Sequence, residues 1–295
     1  MAPPQQKRPP PHIHAVAGIA AGACSTTLLY PLDLVKVRFQ ADTRVERMPG
    51  VVAAASSVIR REGLRSLFNG LSPALLGSAL SWGGFFYFYE RFKLQQSTAI
   101  NHAVASIQSG ACMVFLTNPV WLVKTRLQLQ KDQRYKGILD AFSSIIKEEG
   151  WLALYRGILP ALFLTSHGAV QFVVYERLKS LRPPSAEGGR SEALVYGGVS
   201  KLAAATATYP YQVVKTRVQQ RYPSTNSNFV GNLPAGEVAR TLRCVGDTYR
   251  IEGLRGFFKG CWPNALRVAP SAALTFWTYE VVVAAAAPAS TSSVE

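Results

Sequence analysis

An eleven-residue stretch occurs three times in this chain, and that recurrence constrains the fold more than any other feature of the sequence. Every copy has a proline at its second position, a lysine at its seventh, an arginine at its ninth and a closing glutamine. The copies lie at residues 30–40, 118–128 and 209–219, roughly 90 residues apart. A second block runs from Glu-Gly to an aromatic-x-Gly triplet and follows the copies at residues 62–70, 149–157 and 252–260. Two linked motifs at one period predict three copies of one structural unit.

On this period the sequence divides into three repeats, at residues 12–95, 100–182 and 190–284. The flanking segment 1–11 is rich in proline, and the tail 285–295 is of low complexity. We expect both flanking segments to be disordered, because neither carries enough apolar surface to form a core.

Long segments almost free of charge accompany the repeats. Four of them contain no Asp, Glu, Lys or Arg, namely residues 9–32, 66–89, 94–123 and 157–175. Two more contain one charge each, Lys201 within 193–214 and Arg267 within 260–279. Each segment reaches or approaches the ~20 residues that cross a bilayer. The sequence therefore predicts an all-α membrane protein with six transmembrane helices, two in each repeat. Short amphipathic surface helices are expected near residues 51–61 and 138–148 and in the equivalent part of the third repeat.

The basic residues sort to one side of this topology. The three connections 36–70, 124–157 and 215–260 hold 22 of the 32 Lys and Arg residues. The positive-inside tendency places all three connections on one face and both termini on the other. The net charge of +15 indicates an anionic partner. A nucleic acid is not expected, since its binding would require one basic stripe with groove-reading elements.

This double motif resembles that of the mitochondrial carrier family, over roughly residues 12–284. The resemblance implies three pseudo-symmetric repeats, three short helices on the matrix side and one central site for a small anionic substrate. It also implies an alternating-access transporter in the mitochondrial inner membrane, with the chloroplast inner envelope as the alternative. A monomer with cardiolipin on its basic face would accompany that fold.

The repeated charges suggest gates at the two ends of the cavity. The prolines Pro31, Pro119 and Pro210 are expected to kink the three helices that carry the matrix gate. By resemblance Asp33 pairs with Lys124, whereas Trp121 and Gln212 stand where the family usually has an acid. Lys36 is then left with a hydrogen bond to Gln212, and Lys215 has no acidic partner, which predicts a weak matrix gate. A second, cytoplasmic gate is expected from the residues of the aromatic-acid-x-x-base motif: Glu90, Lys93, Glu176, Lys179 and Glu280.

Two formal charges lie within the predicted spans. Lys201 and Arg267 are costly at membrane depth, so each is expected to face a polar cavity and to bind substrate. Arg267 also matches a substrate contact point of the family by its spacing from Glu280. Equivalent spacing and the neighbouring polar or aromatic positions add further candidates: Gly77, Ser78, Trp82, Trp121, Phe163, Leu164 and His167.

Fixed cations beside aromatic rings predict a cargo that is an organic anion with a flat ring. Folates, flavin nucleotides, nicotinamide nucleotides and pyrimidine nucleotides all meet that description. Residues 118–128 resemble the folate/FAD branch of the family, which also has NAD and pyrimidine nucleotide relatives. Residues 80–83, 165–172 and 209–214 look like folate/FAD carriers in particular.

A membrane-bound enzyme is the principal alternative of another class, and a structural scaffold is a third. No Gly-rich phosphate loop or nucleophile–base pair is evident in the sequence, and the four cysteines lack metal-ligand spacing. We therefore expect no metal and no cofactor, with folate or FAD acting as cargo. The choice between uniport and exchange stays open.

Overall fold

The computed structural model describes residues 11–43, 50–93, 99–130, 134–181, 189–220 and 236–286. All regular structure in these ranges is helical, and no β-strand occurs within them. The flanking segments predicted to be disordered lie outside these ranges, apart from Pro11 and residues 285–286, which are helical.

The first repeat contains helices α1 (Pro11–Leu28), α2 (Tyr30–Ala41), α3 (Val51–Glu62) and α4 (Leu71–Phe92). A short 3-10 helix, Leu64–Phe68, connects α3 to α4. The axes of α1 and α2 differ by 56°. The bend falls where Pro31 enters the first turn of α2, because proline disfavours helical backbone in the residue before it.

The second repeat contains α5 (Ala99–Leu129), α6 (Ile138–Glu149), α7 (Ile158–Phe163) and α8 (Ser166–Leu181). A 3-10 helix, Trp151–Tyr155, precedes α7. The sequence predicted one span where α7 and α8 stand. The structure instead tightens between these helices into i→i−3 hydrogen bonds, although both still follow one another in a single long segment. The α5 helix is continuous through Pro119, so a kink at that residue stays a prediction.

The third repeat contains α9 (Gly189–Ala207), α10 (Tyr209–Gln219), α11 (Glu237–Glu252) and α12 (Cys261–Ala286). Its 3-10 helix is Gly253–Phe258. The helix is interrupted between α9 and α10, just before Pro210, as the sequence predicted for this proline. The amphipathic helices α3, α6 and α11 occupy equivalent places in the three repeats, and we call their end of the molecule the matrix side.

The repeats close into a ring. Helix α4 packs against α5, α8 packs against α9, and the last helix α12 packs against the first helix α1. The helices that carry the repeated motif, α2, α5 and α10, contact one another at the matrix side. These contacts leave a central space with one helix of every repeat at its floor.

Apolar burial is concentrated at the matrix side. The largest buried cluster joins Leu122, Val123 and Leu127 of α5 to Ala141 and Ile145 of α6. Large apolar side chains elsewhere are exposed, as expected for helices whose outer faces meet lipid.

By length and apolar composition alone, Trp151–Leu181 qualifies as a membrane span. The bent pair Ala17–Leu28 and Tyr30–Ala41 qualifies if it is counted as one span. The remaining long helices of the described ranges fall below that criterion. Polar groups at membrane depth are tolerated where they line a wet cavity.

Two glycines show how closely the helices within one repeat pack together. Gly70 and Gly260 begin α4 and α12 with φ values of +84° and +81°, a conformation that favours glycine. A Cβ atom at these positions would lie 2.9 Å from the Tyr30 hydroxyl and 2.8 Å from the Tyr209 hydroxyl, respectively. Each tyrosine hydroxyl donates a 3.0 Å hydrogen bond to the carbonyl just before the glycine, at Asn69 and at Lys259.

An arginine from every motif, which we group as the arginine ring (Arg38, Arg126 and Arg217), ties the repeats together. Each arginine pairs with the glutamate of its own repeat through both Nη groups, and the partners are Glu62, Glu149 and Glu252. Each also donates its Nε–H to a backbone carbonyl at the end of the next motif helix, at Gln128, Gln219 and Gln40. The ring therefore links α2 to α5, α5 to α10 and α10 to α2.

Candidate substrate site and gates

The residues predicted to form the matrix gate include the lysines of the three motifs, which we group as the lysine ring (Lys36, Lys124 and Lys215). Lys124 Nζ lies 2.7 Å from Asp33 Oδ2 and so joins α5 to α2. Lys36 Nζ donates a 2.8 Å hydrogen bond to Gln212 Oε1 and so joins α2 to α10. Both contacts are those that the sequence predicted.

The third position of the lysine ring differs from the other two. Lys215 has no hydrogen-bond or ion-pair partner among the described residues. Its symmetry-equivalent acceptor position holds Trp121, whose ring lies 5.4 Å from Lys124 Nζ. An indole ring offers no acceptor atom, so Trp121 gives Lys215 no partner at this position.

Asp33 receives more contacts than the sequence predicted. Gln128 Nε2 donates a 3.0 Å hydrogen bond to the same oxygen that Lys124 contacts. Arg267 Nε lies 3.6 Å from the other oxygen, Asp33 Oδ1. The candidate substrate residue Arg267 and the matrix gate are thus joined through one carboxylate. The glutamine could have been found in the sequence, because it recurs at the end of all three motifs.

Above this gate lies a cavity of about 370 Å³. Among the described residues that line it, five are basic and one is acidic: Lys36, Lys124, Lys201, Lys215, Arg267 and Asp33. That balance leaves a strong positive potential in a confined space, which attracts anions. The volume falls within the range of pockets that hold small organic ligands.

His167 lines the cavity and is held by a hydrogen bond through Nδ1. Its Nδ1 lies 3.1 Å from Thr208 Oγ1, and that hydroxyl donates its own proton to the Ala204 carbonyl at 2.8 Å. Thr208 can therefore only accept from the histidine, so Nδ1 carries a proton. In the neutral ring the lone pair then belongs to Nε2, and a donor on a bound substrate can use it.

Most of the other candidate substrate residues lie at the cavity or next to it. Leu164, Trp121, Lys201 and Arg267 line the cavity together with His167. Gly77 packs beneath Trp121, where a Cβ atom would lie 3.3 Å from the indole ring.

Ser78 and Phe163 are not among the residues that line the cavity. Phe163 stacks on Tyr211 with ring centroids 5.5 Å apart, and 53% of Phe163 is exposed. Trp82 lies in α4, and its side chain is outside the described part of the structure. Roles for these three residues in substrate binding stay predictions.

The charges of the predicted cytoplasmic gate do not meet. Lys93 Nζ lies 4.0 Å from Glu90 Oε1, but Glu90 belongs to α4 and Lys93 directly follows the same helix. Among the described ion pairs none joins Glu176, Lys179 or Glu280 to another helix, and these three residues are exposed. Among the described residues, polar contacts join the helices on the matrix side, whereas the predicted cytoplasmic gate residues make no ion pair between helices.

Comparison with known proteins agrees with this geometry. The family model "Mitochondrial carrier protein" matches residues 7–98, 95–184 and 189–287. Folate transporter 1, chloroplastic, of Arabidopsis thaliana is 40% identical to this chain, over 92% of the chain and 94% of the transporter. The mitochondrial nicotinamide adenine dinucleotide transporter 1 of Saccharomyces cerevisiae is 34% identical, over 91% of the chain and 75% of that transporter. Nicotinamide adenine dinucleotide transporter 2, mitochondrial, of Arabidopsis thaliana is 33% identical, over 92% and 78%. The chain, with its three repeats, its ring of six spans and its central basic cavity, belongs to the mitochondrial carrier family.

Proposed function

We propose that this protein carries folate across the inner membrane of an organelle by alternating access. The observation that carries the proposal is the central cavity, in which five basic side chains face one carboxylate and an indole ring forms part of the wall. The 40% identity to a chloroplast folate transporter supports the same cargo. FAD is the second ring-bearing anion that this cavity suits.

Arg267 is the residue best placed to hold the anionic end of the cargo. It lines the cavity, and its Nε is buried without a hydrogen bond. Its contact with Asp33 is an ion pair at 3.6 Å and is too long for a hydrogen bond. A carboxylate or a phosphate group can therefore engage the planar donor fork in a way that Asp33 does not. Lys201, which also lacks a partner among the described residues, adds a second cation on the same wall.

Trp121 supplies a flat apolar surface beside these cations. A pterin or isoalloxazine ring can stack there while its anionic tail reaches Arg267. His167 Nε2 can accept a hydrogen bond from a ring N–H or amino group. The cavity thus combines charge, stacking and one directional acceptor, which is the combination that a folate requires.

Opening of the matrix side follows from the same contacts. The gate holds one full ionic pair, Lys124 with Asp33, and one neutral-acceptor contact, Lys36 with Gln212. A cargo that binds Arg267 draws it away from Asp33. This changes the net charge around the Lys124–Asp33 pair. Cargo binding then favours the state in which the matrix side opens, because a ligand shifts an equilibrium toward the state it binds better.

Nicotinamide nucleotides are a further candidate cargo, favoured by the two dinucleotide transporters that resemble this chain. They carry a pyrophosphate, which the cations of the cavity would also bind. A transporter needs no cofactor for this work, and folate or FAD would enter the cavity as cargo. The basic matrix face suits an anionic lipid such as cardiolipin, and we propose that the protein acts as a monomer. The mitochondrial inner membrane and the chloroplast inner envelope are the two candidate locations, which fractionation would distinguish.

A panel of ligands tests the cargo. Thermal unfolding of the pure protein in detergent should be measured with folate, FAD, NAD, a pyrimidine nucleotide, malate and phosphate, each at the same concentration. Because a ligand that binds the native state raises the melting temperature, folate should give the largest shift. A larger shift with NAD would favour a nicotinamide dinucleotide as the cargo. A shift with malate or phosphate alone would exclude a ring-bearing cargo.

A further inference from the structure

We infer that Lys215 is a second anion subsite, which takes one carboxylate of a cargo that carries at least two negative charges. The inference rests on the proposed function and adds the number of anionic groups that the cargo must have. It concerns a residue whose equivalents in the other two repeats serve the gate alone.

The comparison within the lysine ring carries the argument. Lys124 has a carboxylate at 2.7 Å, and Lys36 has an amide oxygen at 2.8 Å. Lys215 occupies the same place in its motif and has no acceptor among the described residues. The difference arises from one position, where the equivalent of Asp33 and Gln212 is Trp121.

The surroundings of Lys215 make an external acceptor necessary. Its own side chain is only partly exposed. Its Nζ belongs to the wall of the cavity, and Lys124 is a like charge close enough to act on it. A cation in this position gains most from an anion that enters the cavity, since the protein itself offers none.

Arg267 is the cation that would hold the other anionic group, and it contacts the opposite oxygen of the Asp33 carboxylate from Lys124. Arg267 contacts Asp33 Oδ1, whereas Lys124, the neighbour of Lys215, contacts Asp33 Oδ2. A ligand with two anionic groups can therefore meet Arg267 with one group and Lys215 with the other. The glutamate end of folate carries two carboxylates in one flexible unit and has the required chemistry.

The experiment pairs changes in the protein with changes in the ligand. Binding of folate and of its two monoamides, each of which replaces one carboxylate by a neutral amide of the same shape, should be measured in detergent for the wild type and for Lys215→Gln. Loss of one charge-assisted contact should weaken binding about tenfold. We expect Lys215→Gln to weaken the binding of folate and of one monoamide by that factor, and to leave the binding of the other monoamide unchanged. The insensitive monoamide is the one that lacks the carboxylate held by Lys215.

Lys36→Gln is the matched control, because it removes a lysine of the same ring that already has a partner. It should lower the melting temperature of the unliganded protein and keep the difference between folate and both monoamides. An equal effect of Lys215→Gln on all three ligands, or no effect on any, would overturn the inference. If folate does not bind the wild type at all, the proposed cargo fails instead, which separates the two outcomes.

A second pair of variants tests the same subsite without changing Lys215. Trp121→Asp places a carboxylate where Lys215 can use it, and Trp121→Asn makes the same change in shape without the charge. Both variants lose the indole ring. We expect Trp121→Asp to abolish the preference for folate over the monoamide that lacks the carboxylate held by Lys215, and Trp121→Asn to keep it. Equal preference in the two variants would contradict a subsite at Lys215.

Discussion

The arginine ring and the lysine ring lie one beside the other on the same three helices, and they differ in symmetry. Every arginine has a glutamate partner within its repeat and a backbone carbonyl from the next repeat. Lys124 pairs with a carboxylate and Lys36 with an amide oxygen, whereas Lys215 has no partner among the described residues. The lysine and the arginine stand two positions apart in each motif, but only the arginines have the same kinds of partner in all three repeats.

The difference separates what holds the repeats together from what must change during transport. The arginine pairs are buried or half-buried and have the same partners in each repeat, so we expect them to act as fixed links at the ends of the helices. The lysine ring faces the cavity and retains one full ionic pair, which is a contact that cargo can weaken. Loss of symmetry is therefore confined to the layer that cargo reaches.

Breaking the arginine ring should have the largest effect. Arg217 and Glu252 are 0% and 2% exposed, so Arg217→Ala leaves a buried carboxylate with Lys259 as its remaining close cation. Removal of one partner of a buried pair typically costs about 3–5 kcal/mol. We expect a loss of that order in the free energy of unfolding, measured by denaturation in detergent. Lys215→Ala, two residues earlier, is the control and should leave stability near the wild-type value. Equal losses in the two variants would remove the distinction between the rings.

Removal of Arg267 should abolish transport and leave the fold intact. Arg267→Ala takes away the planar fork from the cavity but none of the contacts of the arginine ring. Uptake into liposomes should fall to background, while the melting temperature stays close to that of the wild type. Arg267→Lys should restore little, because an ammonium cannot bind a carboxylate or pyrophosphate in the bidentate manner. Near-normal uptake by the alanine variant would remove Arg267 from the substrate site.

Completion of the lysine ring should slow transport. Trp121→Asp gives Lys215 an acidic partner and adds a second full ionic pair to the matrix gate. We expect a lower maximal rate, or a shift toward obligatory exchange in which bound cargo must help to open the gate. Rates should be measured with and without internal cargo, and with Trp121→Asn as the control for the lost ring. Unchanged rates in both modes would mean that this gate does not limit transport.

The smallest expected effect concerns His167. His167→Leu removes the acceptor that Nε2 offers, and one neutral hydrogen bond contributes about 0.5–1.5 kcal/mol. The KM for folate should therefore rise several-fold, with the maximal rate little changed. His167→Gln keeps an acceptor and should lie closer to the wild type. A glutamine variant as impaired as the leucine variant would assign His167 a packing role through Thr208.

The repeated motifs were sufficient to predict the fold class, the surface helices and the principal matrix pair. The same pattern of helices recurs in every repeat, so the helices predicted for one repeat could be checked against those of the other two. Asp33 with Lys124 and Lys36 with Gln212 were predictable because the family pattern specifies which motif helix faces which.

The position of Phe163 shows where sequence reasoning ends. Its assignment to the cavity came from counting back along a regular helix from Glu176. The structure tightens at Leu164 and Thr165, between α7 and α8, so the helix is not regular across this point, and a role for Phe163 stays a prediction. Leu164 and His167 line the cavity, and Phe163 stacks on Tyr211. The Arg267 contact with Asp33 was likewise missed, because it joins the last repeat to the first and no local pattern marks it.

Uptake of radiolabelled folate into liposomes that contain only the pure protein tests the central claim most directly. The account predicts saturable uptake that unlabelled folate and FAD inhibit, that malate and phosphate do not inhibit, and that Arg267→Ala eliminates. Robust uptake of malate, citrate or phosphate, with no uptake of folate and no inhibition by folate or flavins, would contradict it. The basic cavity would then serve a small anion, and Trp121 would belong to helix packing alone.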